Sequence, residues 1–68
     1  MDSPEIGTVW KNKMQSDEYI TIVDPSSAHV RKNIACKYHR TGHIGGYNSP
    51  EWFYDDWEPV DKISNKFR

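Results

Sequence analysis

A chain of 68 residues with nine basic and ten acidic side chains has room for one small hydrophobic core, and its net charge of -1 lacks the positive excess typical of a nucleic-acid domain. Its single cysteine excludes an internal disulfide, and no stretch approaches the ~18 apolar residues of a membrane-spanning helix. Hydrophobic residues at 35% and charged residues at 28% exclude the composition of a disordered polymer.

The opening, Met1 to Glu5, is acidic and has no apolar run behind it. No signal peptide is therefore expected, and the cytoplasm is the expected compartment. One domain is expected over residues 1–68, with its ordered core at about 6–61. Gly7 to Lys11 reads as a first strand and Asn12 to Ser16 as a polar loop. Asp17 to Val23 holds Tyr-Ile-Thr-Ile-Val, the clearest strand, because β-branched and aromatic side chains fit a pleated, half-buried surface. Asp24-Pro25-Ser26-Ser27 is a turn: proline presets φ at the second position and aspartate suits the first.

Ala28 to Arg40 shows alternation. Ala28, Val30, Lys32, Ile34, Cys36, Tyr38 and Arg40 fall on one parity, mostly apolar, and His29, Arg31, Asn33, Ala35, Lys37 and His39 on the other. Side chains alternate faces along a strand, so a strand with one apolar and one basic face is expected, broken near Lys32-Asn33 by a turn or bulge. Thr41-Gly42 is a turn, and His43 to Tyr47 a short strand weakened by Gly45 and Gly46. Ser49-Pro50-Glu51 is a helix-start signal: serine caps, proline fits the first position, and glutamate favours the N-terminal dipole. One helical or 3₁₀ turn is expected near residues 49–54. Trp57 to Val60 reads as a last, edge strand, since Pro59 cannot donate to a ladder. The polar tail Lys62 to Arg68 is expected to fray.

The expected fold is mostly β: about five antiparallel strands with one short helical turn. Ile20, Ile22, Val30, Ile34, Cys36, Tyr38 and Trp57 are the expected inward residues. The opening Gly-x-Val-Trp, the central Tyr-Ile-Thr-Ile-Val and the helical turn leading to Trp-Glu-Pro-Val resemble, over residues 6–61, the small SH3-like barrels of Tudor or KOW type carried by phages and mobile elements. The resemblance implies a five-stranded barrel and a binding module, such as a phage-type inhibitor or modulator of a host protein. It assigns no site residue.

Cys36-x-x-His39-x-x-x-His43 is the one metal-like spacing, but zinc needs four converging ligands, and a strand turns Cys36 and His39 to opposite faces. A thiolate nucleophile needs an electropositive, partly exposed setting, whereas Cys36 falls among Ile34 and Tyr38. The carboxylates Asp55, Asp56 and Glu58 lack the pocket that acid–base chemistry requires. Neither enzymatic activity nor a cofactor is expected.

Binding is the remaining class. Residues 31–48 carry Arg31, Lys32, Lys37 and Arg40 and no acid. The aromatic run Trp52, Phe53, Tyr54, Trp57 must divide between core and surface, with Trp52 or Phe53 inward beside Trp57. Nine aromatics exceed what one small core is expected to enclose, and exposed rings rimmed by charge mark interaction sites. The expected binding surface is therefore Arg31, Lys37, His39, Tyr47 and Tyr54. A protein is the expected partner. The alternative is nucleic acid held on the basic strand face, which the sequence pI of 6.2 opposes.

Overall fold

The computed structural model describes residues 3–60. Five strands, β1 (Val9–Asn12), β2 (Tyr19–Val23), β3 (Ile34–Tyr38), β4 (Ile44–Tyr47) and β5 (Trp57–Pro59), form one antiparallel sheet in the order β4-β3-β2-β1-β5. A short helix, α1 (Pro50–Asp56), joins the two edge strands β4 and β5. The expected mostly-β fold of five antiparallel strands and one helical turn is the one observed. Among the described residues β4 and β5 do not pair with each other, and α1 contacts both. The tail Lys62 to Arg68 lies outside the described residues.

The helix starts where the serine and proline place it. The Ser49 hydroxyl accepts from the Glu51 N–H at 3.3 Å, and Pro50 opens the first turn. It stops at Trp57, whose backbone becomes extended while its N–H still reaches the Phe53 carbonyl. That stop turns Trp57 directly into β5.

Sheet pairing sorts the side chains onto two faces. Trp10, Ile20 and Tyr38 lie in register on the inner face, as do Ile22 and Cys36. With Ile34, Phe53 and Trp57 they make the core, all but Trp10 and Tyr38 being buried. Each such side chain contributes about 1.5–3 kcal/mol by leaving water. Phe53 is the hub: Trp10, Tyr47 and Tyr54 meet it edge-to-face at 5.0, 5.6 and 5.4 Å. Tyr38 packs edge-on against Trp57 at 6.0 Å.

As expected, the rings beyond the core stay partly exposed: of the rings among the described residues, only Phe53 and Trp57 are buried. Phe53 and Trp57 at the centre, with Trp10, Tyr38, Tyr47 and Tyr54 around them, share one cluster. Of the two rings offered as alternatives, Phe53 is inward and Trp52 is 62% exposed.

The long alternating segment is corrected. Only Ile34–Tyr38 is strand. Residues 24–30 form a hydrogen-bonded turn instead: Ser26 N–H donates to Asp24 Oδ1, Ala28 N–H to the Asp24 carbonyl, and Val30 N–H to the Pro25 carbonyl. His29 takes φ 59°, a left-handed conformation that no strand accommodates. Val30 therefore sits in the β2–β3 loop, half-buried, and not among the inward strand residues. Ala35, expected on the polar face, is fully buried.

Candidate functional site

The outer face of the sheet carries an uninterrupted row. Val9 pairs with Thr21, Thr21 with Lys37, and Lys37 with Ile44, so one residue from each of four adjacent strands points the same way. Val9 and Ile44 are 38% and 42% exposed, and Lys37 is exposed between them. Lys37 takes part in no ion pair among the described residues, whereas Lys11 meets Glu58 at 3.7 Å and Arg40 meets Glu18 at 3.2 Å. The second of these is charge proximity without hydrogen-bond geometry, since Glu18 Oε1 has no hydrogen-bond partner.

His39 borders the row on one side, along the strand direction. Its Nε2 lies 2.6 Å from Thr21 Oγ1, its ring stacks on Tyr19 at 6.4 Å, and its N–H donates to the Tyr19 carbonyl. The opposite side is bordered by the β2–β3 loop. A Cβ at Gly46 would lie 3.0 Å from Val30 Cγ1, 3.2 Å from Lys32 Cβ and 2.8 Å from the Ile34 carbonyl oxygen. Only glycine lets the loop settle this closely over β4.

The structure divides the five expected binding residues. Lys37 lies on the outer face and His39 at its margin, both exposed. Arg31 is exposed in the β2–β3 loop, not on β3, so the basic stripe of a single strand is replaced by strand and loop together. Tyr47 pairs with Ile34 and therefore faces inward, away from Lys37. Its hydroxyl donates to Asp56 Oδ2 at 2.9 Å and accepts from Trp57 Nε1 at 3.0 Å. Tyr54 packs beside Trp10 and Phe53. Tyr47 ties β4 to α1 and β5, Tyr54 ties α1 to β1, and the two rings do not join Lys37 and His39 in one surface.

Burial shapes the titration of the interior. It pushes the Cys36 thiol up from 9.0 to about 11 and, with the Asp56 carboxylate adding to it, the Tyr47 phenol from 10.0 to about 12. Cys36 is wholly enclosed and opposes Ile22, on the face away from His39. Among the described residues no three His, Cys, Asp or Glu side chains gather as metal ligands would.

The sheet edges complete the geometry. In an antiparallel ladder bonded and non-bonded pairs alternate. Tyr38 N–H donates to the His43 carbonyl at 2.8 Å, which makes Cys36–Gly45 and Ile34–Tyr47 the bonded pairs of the same register. Ile44 and Gly46 consequently turn their N–H and C=O groups outward, where no partner meets them among the described residues. At the opposite edge Lys13 N–H donates to the Asp56 carbonyl at 2.8 Å, which makes Lys11–Glu58 bonded and turns Trp57 and Pro59 outward. The Trp57 N–H is already given to Phe53, and Pro59 has none.

Sequence reasoning missed Val9, Thr21 and Ile44, and missed the β4 backbone. The signal for Thr21 was present, as the polar position between Ile20 and Ile22. Ile44 and the two glycines read only as a weak strand. No known protein family, curated protein or solved structure matches the chain.

Proposed function

We propose that this chain is a non-catalytic protein-binding module of SH3-like type, acting in the cytoplasm through the outer sheet face. The observation that carries the reading is the row Val9–Thr21–Lys37–Ile44: an apolar pair flanking a lysine, in register across four strands and left open to solvent. Apolar contact combined with an unpaired charge suits a partner of complementary charge. Lys37 lies on this face and Lys32 stands at its margin beside Gly46, so the partner surface of complementary charge is acidic. A phage-type inhibitor or modulator of a host protein falls within this reading. No helix among the described residues is long and apolar enough to cross a membrane.

The test is binding to a blocked acidic peptide, to a basic peptide, and to single- and double-stranded oligonucleotides, each at low and moderate salt. The acidic peptide is expected to bind and to shift the amide resonances of Thr21, Lys37 and Ile44. Arg31→Glu with Lys37→Glu should leave the fold intact and weaken it at least tenfold. Oligonucleotide binding with a steep salt slope would replace the protein partner by a nucleic acid.

A further inference from the structure

We propose that β4 is a receiving edge, which takes an extended acidic segment of a protein partner as a sixth, antiparallel strand. The inference rests on the protein-binding reading above and specifies how the partner docks. Ile44 and Gly46 each offer an outward N–H and C=O, a two-residue template for a new ladder. Sheet edges are ordinarily guarded by proline, charge, bulges or a covering element. The β4 strand, Ile-Gly-Gly-Tyr, has neither proline nor charge. Its glycines put no side chain in the way of an approaching backbone.

Charge selects the occupant. Lys37 stands beside Ile44, and Lys32 stands beside Gly46, both toward the outer face. A strand paired to β4 would place the side chains opposite Ile44 and Gly46 on that same face, two residues apart in the partner. The acid opposite Ile44 lies two strand spacings from Lys37, about 9–10 Å between backbones, within the joint reach of lysine and glutamate side chains, and the acid opposite Gly46 lies on the side of Lys32. A second copy of this chain fits worse. Two-fold pairing of β4 with itself would set Ile44 opposite the Gly46 of the other copy and carry Lys37 of each toward Lys32 of the other, joining like charges.

The probe is a seven-residue peptide of alternating valine and glutamate with blocked ends, added to the full chain. Two N-methylated forms accompany it, one methylated on the glutamate amides, which face β4 in this pairing, and one on the valine amides, which face away. The unmodified peptide is expected to slow hydrogen exchange at the Ile44 and Gly46 amides at least tenfold, with Gly45 and Tyr47 little changed. Methylating the glutamate amides should weaken binding at least tenfold, and methylating the valine amides should not. Ile44→Pro removes an N–H that the internal ladder does not use, so it should keep the fold and lose the same factor. The methylated peptides act on the parent chain, so they decide the matter even where Ile44→Pro does not fold.

Equal binding of the two methylated forms, with Arg31→Glu/Lys37→Glu still weakening both, would overturn the receiving edge and leave the protein-binding reading standing. No acidic-peptide binding at all would overturn both. Slowed exchange at Ile44 and Gly46 that grows with protein concentration alone, or that an oligonucleotide produces, would give the edge to a second copy or to nucleic acid and overturn the inference.

Discussion

The two edges of this sheet are built to opposite ends. At β5 every outward N–H is removed or used: Pro59 has none, and Trp57 gives its own to Phe53 as the helix ends. At β4 the outward groups of Ile44 and Gly46 meet nothing among the described residues. The closed edge also anchors the core through Trp57, whereas the open edge joins it only through Tyr47. Stability is therefore concentrated on one side of the molecule, and pairing capacity is left on the other.

The largest expected effect breaks the closed side. Trp57→Ala removes a buried ring from β5 and frees the Tyr47 hydroxyl from its donor. It should cost about 3–5 kcal/mol, comparable with the whole stability of so small a domain. Denaturant melting checks this. A variant within about 1 kcal/mol of the parent would show that β5 does not anchor the core.

Next comes the open side. Gly46→Ala puts a methyl group 2.8 Å from the Ile34 carbonyl oxygen and 3.0 Å from Val30. Because the nearer neighbour is the backbone at the start of β3, and Val30 and Lys32 of the loop lie just behind it, the loss should fall in the range of about 1–3 kcal/mol, through displacement of that strand end and the β2–β3 loop. Gly45→Ala, which meets the Tyr38 ring at 3.1 Å, should be milder, since a ring edge can move. Equal losses from the two variants in urea melts would remove the loop from the account.

Tyr47→Phe cuts the link between the edges. It leaves Trp57 Nε1 and Asp56 without their shared partner and should cost about 1 kcal/mol. An unchanged melting temperature would mean that ring packing alone connects β4 to α1.

The smallest effect, at neutral pH, comes from the interior acids. Their folded-state pKa values are raised, so the unfolded chain releases these protons first. Stability is then complete below pH 9 and declines as pH rises, Cys36 acting between 9.0 and about 11 and Tyr47 between 10.0 and about 12. Cys36→Ala should shift the onset of that decline upward in a pH series of denaturant melts. Identical profiles with and without the thiol would contradict its burial.

What was legible in the sequence follows from where local chemistry is decisive. Tyr-Ile-Thr-Ile-Val, Ser-Pro-Glu and Trp-Glu-Pro each name their element, because β-branching, capping and a missing N–H act over a few residues. The alternation from Ala28 to Arg40 misled for the same reason. Asp24 and Pro25 draw residues up to Val30 into a turn through hydrogen bonds that no periodicity registers. The candidate surface was partly legible: Arg31, like Lys37 and His39, is exposed as expected. Tyr47, however, is committed to Asp56 and Trp57, partners that only the tertiary fold brings near it. An open edge is invisible in sequence, because it depends on which strands stay outermost.

Residue-resolved amide hydrogen exchange on the free protein tests the contrast between the edges most directly. Protection should alternate along β4: Ile44 and Gly46 exchange fast, while Gly45 and Tyr47 are protected. Trp57 and Glu58 should both be protected at β5. Uniform protection along β4, or exchange at Trp57 as fast as at Ile44, would contradict that contrast.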